Sequence, residues 1–180
     1  MSQDGRRDFV RYTFYKVAPE WRRLSPGDRE RDKAEFANVV AEFADRIGMA
    51  SYTLVGTRGD VDFMLWQVSP TLEALTELAA QLNHAGLGKF LFMPHSYLAM
   101  TRPSPYVDQH RHPGQEGTSP TMRITGRRYL FVYPFVKTND WYQLAKEDRQ
   151  RMMNQHFIIG HRYPTVKIST AYSFGLDDQE

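Results

Sequence analysis

The sequence has no cysteine, which excludes disulfide frameworks, thiolate metal sites and cysteine nucleophiles. It has little excess charge: 23 Lys+Arg against 21 Asp+Glu leave a formal +2, with no broad footprint for nucleic acid. No stretch approaches the ~20 apolar residues of a membrane helix, and the opening MSQDGRRDFV lacks the apolar core of a signal peptide. These absences set the expectation of a cytoplasmic protein with neither a nucleic-acid nor a membrane partner. Glycine-rich phosphate loops, HExxH and GxSxG are missing too. What the 180 residues do carry is aromatic surface, with 11 Phe, 10 Tyr and 3 Trp, and length for one domain or two small ones.

Residues 9–17 (FVRYTFYKV) are β-branched and aromatic and read as a strand. Ser25-Pro26-Gly27-Asp28 opens a helix in which Phe36, Val39, Val40, Phe43 and Ile47 recur at helical spacing, with Gly48 just past its end. Strands are expected at 50–57 and 61–68, joined by a hairpin at Arg58-Gly59-Asp60. Pro70 starts a second helix with Leu72, Leu75, Leu78, Ala79 and Leu82 on one face, and 90–100 is a strand in which Pro94 marks an edge or a bulge. The order βαββαβ is ferredoxin-like, an antiparallel sheet with both helices on one face. After a Pro- and Gly-rich connection, the spacing predicts a strand over 127–136, a helix near 145–161 and a strand over 166–174.

The chain also matches itself at an offset of 120 residues: Arg7/Arg127, Trp21/Trp141, Leu24/Leu144, Asp28/Asp148, Arg29/Arg149, Arg31/Arg151 and Tyr52/Tyr172. The cluster between positions 21 and 31 is too dense for chance and marks a tandem repeat. The expected fold class is therefore α+β, tandem ferredoxin-like repeats of the dimeric α+β barrel type. Residues 1–101 form the first repeat, 102–126 a linker and 127–180 a second, incomplete repeat. Either the sequence is a fragment or a partner completes the sheet; because a strand left without its hairpin partner is a sticky edge, a C-terminally truncated fragment is the favoured expectation.

The repeats differ most at His156, whose counterpart is Phe36. Met152 and Met153 lie one turn before it and Phe157 beside it, so the imidazole is expected to project toward the sheet. Two readings stand: a core histidine bonded to a backbone carbonyl, or an axial haem ligand in an apolar pocket. Period-2 alternation puts Tyr133, Phe135 and Lys137 on one strand face, a phenol and an ammonium suited to acid or redox work beside an anion, or to ordinary packing. Trp141 packs the strand–helix corner, as Trp21 does. His110 and His112 have HxH spacing near Asp108 and Glu116, a weak metal signal. His95 and His161 read as structural or exposed. Arg123, Arg127 and Arg128 form a basic cluster, either solvated or paired with a carboxylate ligand, and Asp177-Asp178 reads as a turn.

YPFVKTNDWYQL (133–144), RQRMMNQH (149–156), GHRYP (160–164) and AYSFGLDDQE (171–180) together resemble the chlorite dismutase family, and within it the coproheme decarboxylase branch that finishes haem b synthesis. The resemblance implies two ferredoxin-like units, a homopentamer, and a haem site in the second unit. It implies iron coproporphyrin III as both cofactor and substrate, and hydrogen peroxide as oxidant. Two propionates would be decarboxylated to vinyl groups, giving haem b. His156 would be the proximal iron ligand, Tyr133 the tyrosine that takes hydrogen from a propionate, and Lys137 the lysine beside it. Tyr97 and Arg123 would contact propionates, and Trp141, Met153 and Ile168 would line the site. A transient contact with a ferrochelatase is a further implied partner. Counted back from Asp177, Ile168 stands where chlorite-decomposing members have arginine, with Ser169 beside it; that argues against chlorite chemistry. The acid that polarises the proximal histidine in the family falls beyond position 180. Alternatives are a chlorite dismutase-like enzyme or haem peroxidase, and a non-catalytic haem-binding carrier.

Overall fold

The computed structural model describes residues 7–104, Tyr106 and 121–173. Strand β1 (Phe9–Val17) is followed by a short helix α1 (Pro19–Arg22), the long helix α2 (Pro26–Glu42), β2 (Gly48–Thr53), β3 (Phe63–Ser69), α3 (Leu72–His84) and β4 (Leu91–Met100). Helix α2 starts where the sequence says: Pro26 occupies its first turn and the Ser25 hydroxyl accepts the Asp28 N–H. The strands are antiparallel, with β1 between β3 and β4 and β2 beyond β3, which is the ferredoxin-like arrangement. At Pro94, which has no N–H to give the ladder, the β1–β4 register slips between Phe14 and Lys16.

Alternation on β1 divides the core in two. Phe9, Tyr15 and Val17 face the helices with Phe36, Phe43, Leu75, Leu78 and Leu82. Val10, Tyr12 and Phe14 face the other way with Met64, Trp66 and Val68, and there they meet Met122, Ile124, Leu130 and Val132 from the linker and the second unit. The segment after the first unit thus lies across the sheet face that the helices leave open.

Four elements differ from expectation. Helix α2 stops at Glu42, and Phe43 and Ile47, both buried, sit in the turns that follow. The β2–β3 connection runs over 54–62 instead of turning tightly at Arg58-Gly59-Asp60. Gly56 takes a left-handed φ of +82° there, and the Asp62 carboxylate is drawn back to the Val17 N–H at 2.8 Å, to Lys16 at 3.3 Å and to Arg22 at 3.1 Å. Finally, 127–136 enters no ladder, and of the described 166–173 only β5 (Tyr172–Ser173) is a strand, paired with Met100 and Ala99 of β4. Leu130 and Val132 still pack against the first sheet, so apolar alternation is satisfied without hydrogen-bonded neighbours.

The helices of the second unit, α4 (Asn139–Gln143) and α5 (Lys146–Gly160), begin at the repeat offset from α1 and α2.

Candidate functional site

The duplicated strand–helix corner positions the site. In the first unit Trp21 N–H donates to Ala18 O at 3.2 Å, Leu24 N–H to Trp21 O at 3.2 Å and Arg29 N–H to Ser25 O at 3.1 Å. The second unit repeats these bonds, from Trp141 to Thr138 at 3.1 Å, Leu144 to Trp141 at 3.3 Å and Arg149 to Ala145 at 3.1 Å. The side chains then diverge. Trp21 Nε1 donates to the buried Asp32 at 3.0 Å, whereas the residue at that place in the second unit is Met152 and Trp141 Nε1 is buried with no acceptor among the described residues.

The helix–sheet interface diverges more. Phe36, 7% exposed, meets Tyr15 and Phe63 edge-on at 6.5 and 6.3 Å between ring centres, which seals the first unit. The places of Phe36 and Tyr15 in the second unit are taken by His156 and Phe135. Phe135 is 64% exposed, Tyr133 is 68% exposed and stacks on Phe135 at 6.3 Å, and His156 is exposed beside Phe157 at 6.1 Å. The expectation that His156 points into a buried interface is therefore corrected. Helix α5 buries none of its residues, because the strand it would pack on has no sheet behind it among the described residues. Met153 is half-buried on the same helix, and Ile168 is exposed beyond it. Tyr133 and Phe135 on the strand segment and His156 on α5 are thus each left open.

Lys137, at the end of that strand segment, is drawn into a cluster. Its ammonium lies over the Trp141 ring at 4.7 Å and over the Tyr106 ring at 5.4 Å, and the two rings meet edge-on at 6.4 Å. Tyr106 is held to α5 by Gln150, whose amide donates to its carbonyl at 3.0 Å. Burial pushes the Lys137 pKa down, and the positive charges of Arg102 and Arg149 push it further. Arg102 stacks over Tyr172 of β5 at 4.2 Å. Sequence reasoning missed Arg102, Tyr106 and Arg149. Arg149 showed itself only as a repeat match and as the first residue of RQRMMNQH, and the other two sit in a stretch without periodicity.

Tyr97 lies on β4 opposite Tyr12, half-buried and edge-on to Phe14 at 6.0 Å, in the layer between the units that also holds Val132. Arg123 is exposed and lines a shallow hollow with Asp8, Asp45, Arg46 and Ser69, none of which is in the Lys137 cluster. Arg128 covers the Tyr129 ring at 5.3 Å, and the Arg127 carbonyl accepts the Tyr52 hydroxyl. His95 pairs with Asp60 at 2.7 Å on the surface. His110, His112, Asp177 and Asp178 lie outside the described residues. Among the described residues no group of three or more His, Asp or Glu converges to hold a bare metal ion. None of their helices is long and apolar enough to cross a membrane.

A model of the chlorite dismutase family matches residues 29–180. The chain belongs to the chlorite dismutase family. A coproheme decarboxylase of Mycolicibacterium smegmatis is 28% identical over 98% of this chain and 75% of the relative. A mutant chlorite dismutase from Candidatus Nitrospira defluvii superposes with a TM-score of 0.84 at 23% identity, over 96% of this chain and 73% of that one. A novel heme-binding protein from Thermus thermophilus gives 0.66 at 21% identity, over 89% and 69%. The fold expected from the repeat is the fold of these structures.

Proposed function

We propose that this chain is a haem-dependent oxidoreductase that decarboxylates two propionates of iron coproporphyrin III with hydrogen peroxide, yielding haem b. The observation that carries the reading is the contrast between duplicated interfaces. Where the first unit closes on Phe36 and Tyr15, the second leaves His156 and Phe135 exposed, which suits a flat apolar partner. The donor set fits a porphyrin iron: one imidazole can complete the coordination of a ring-bound iron, whereas a bare ion needs several ligands. The family membership and the similarity to a coproheme decarboxylase support the same reading.

The iron porphyrin, when bound, supplies the oxidising chemistry, and the chain supplies position and proton control. His156 would hold the iron, with Met153 and Ile168 as apolar lining and Trp141 at the corner. Tyr133 would take a hydrogen atom from the β-carbon of a propionate. Each round converts one propionate carboxylate, one hydrogen peroxide and one proton into a vinyl group, one CO2 and two waters. Lys137 would pair with the carboxylate, and its lowered pKa suits it to release a proton once that charge is gone. Tyr97 and Arg123 remain proposed propionate contacts, Arg123 from a position in its own surface hollow. A homopentamer, a transient ferrochelatase contact and a cytoplasmic setting complete the proposal.

A chlorite dismutase-like reaction is the second reading, favoured by the structural neighbours; Ile168 and Ser169 speak against it, since neither supplies a distal cation. Tyr133→Phe separates roles: it is expected to abolish CO2 release while leaving porphyrin binding intact. Haem b formation at the parent rate in that variant would remove Tyr133 from the chemistry.

A further inference from the structure

Residues 127–133 lie across the first sheet without a ladder, and both of their faces are apolar. Leu130 and Val132 pack inward, while Tyr129, Phe131 and Tyr133 stand exposed. Alternation therefore does not choose between two registers, since a slip of one residue would bury the three aromatics instead. The larger rings would even favour the slipped register. Hydrophobicity alone does not hold Tyr133 on the outer side.

The holding points are on the first unit. Asp8 is 6% exposed, and its carboxylate accepts the Met122 N–H at 2.9 Å. Its own N–H donates to Thr101 Oγ1 at 2.9 Å, and its carbonyl accepts the Thr101 N–H at 2.9 Å. Thr101 follows the last residue of β4, and at Met122 the chain is back against the first unit, so one residue clamps both ends of the connection. Further along, the Tyr12 hydroxyl donates to Met122 Sδ at 3.9 Å, Ile124 packs over Gly48, and the Tyr52 hydroxyl donates to the Arg127 carbonyl at 3.1 Å. No cation pairs with Asp8 among the described residues, so its burial costs stability. The duplicated fold does not demand it either, because its repeat counterpart is the exposed Arg128. What the buried carboxylate does hold is a backbone N–H at the head of the segment that lacks a ladder.

We infer that Asp8, with Tyr52, is a positioning residue for Tyr133: the two anchors fix the register in which 122–133 crosses the sheet and so keep the Tyr133 phenol on the outer face. The inference rests on the reading of Tyr133 as the residue that takes hydrogen from a propionate, and it deepens that reading by naming what aims the phenol. A ladder sets register at every residue; here two hydrogen bonds, at Met122 and Arg127, do the same task at two points.

The test labels the chain with tetranitromethane, which nitrates exposed tyrosines, and maps the nitrated peptides by mass. The parent should react at Tyr129, Tyr133 and Tyr163, all exposed, and be spared at the buried Tyr15. In Asp8→Ala, nitration of Tyr129 and Tyr133 should fall about threefold or more relative to Tyr163, because both turn inward when the segment slips. Asp8→Asn keeps a carbonyl acceptor for the Met122 N–H and should restore most of the parent pattern. Tyr52→Phe keeps the ring, loses the second anchor and should shift reactivity the same way by about twofold. A merely destabilised chain does the opposite: Tyr15 becomes reactive and no site is protected. Unchanged Tyr133 nitration in both Asp8→Ala and Tyr52→Phe would overturn the inference, as would a general rise that includes Tyr15. If Asp8→Ala does not fold, Tyr52→Phe decides alone. The same variants carry the test to the chemistry. With iron coproporphyrin III bound, Asp8→Ala should release CO2 about tenfold more slowly after peroxide, with porphyrin affinity within about twofold, the loss expected of a misplaced reacting group. Release at the parent rate from a chain whose Tyr133 is protected would overturn the positioning role. If the parent releases no CO2, the propionate reading of Tyr133 fails, and the nitration pattern still decides the register.

Discussion

The divergence at the two tryptophans can be turned into a stability measurement. Asp32 is buried and accepts Trp21 Nε1 at 3.0 Å, while the same position in the second unit is Met152. Asp32→Met makes the first corner like the second. It removes a hydrogen bond to a charged acceptor and strands an indole donor, worth about 2 kcal/mol together. The ion pair with Arg31 adds nothing to that figure, since the atoms are 3.9 Å apart and the guanidinium is largely exposed. The Gly86 backbone lies close to Asp32, so the longer methionine has little room to compensate. Asp32→Asn keeps a carbonyl acceptor at the same place and should cost less than half as much. For a chain of this length the methionine variant should melt roughly 4–8 °C below the parent. Urea unfolding followed by far-UV circular dichroism gives the free energies. A methionine variant within about 0.5 kcal/mol of the parent would refute the claim that this bond locks the corner. An asparagine variant as unstable as the methionine one would place the effect in the charge instead.

Leu75 is fully buried between α3 and the sheet, so Leu75→Ala should destabilise the first unit by about 2–5 kcal/mol, whereas Ile158→Ala on exposed α5 should stay within about 0.5 kcal/mol in the same unfolding assay. Asp62 provides a pH signature. Burial works to raise its pKa, but the Val17 N–H, the Lys16 hydrogen bond and the Lys16 and Arg22 charges outweigh it, so its carboxyl titrates below the ordinary value. Its stabilisation is therefore complete above about pH 4–5 and is lost as pH falls through the depressed folded value, while Asp62→Asn should flatten that acid limb in unfolding curves taken across the range. Lys137 carries the same sign of linkage in the alkaline range. Its folded pKa is lowered, so the unfolded chain holds the proton longer and stability should rise as pH climbs from the folded value toward the ordinary lysine value, an alkaline gain that Lys137→Met removes.

Much of the first unit was legible because each element carries its own signal. Strand β1 alternates, α2 begins at Ser25-Pro26, and Pro94 marks the place where the ladder slips. The β2–β3 connection was less legible, since Asp62 binds groups 40 to 46 residues away and no local turn rule reads such a bond. In the second unit the alternation has its structural counterpart over 129–133: Leu130 and Val132 face inward, and Tyr129, Phe131 and Tyr133 face out, whereas Phe135 and Val136 are both exposed. Its ladder does not, because a strand is completed by neighbours that alternation does not name. His156 shows the same limit. Its place on α5 follows from spacing, but its burial depends on what packs against the helix. The tandem offset was the strongest single signal: α4 and α5 begin at that offset from α1 and α2, and the corner hydrogen bonds recur at it.

The central claim is that the second unit, through His156 and Tyr133, takes iron coproporphyrin III and, with peroxide, converts it to haem b. Anaerobic titration of the chain with iron coproporphyrin III, followed by measured additions of peroxide and mass analysis of the porphyrin, tests it most directly. The account predicts saturable binding that His156→Ala weakens, then successive loss of two carboxyl groups. Binding with no change in porphyrin mass would contradict the enzymatic claim and leave a carrier; no binding would return His156 to an ordinary histidine in a duplicated fold.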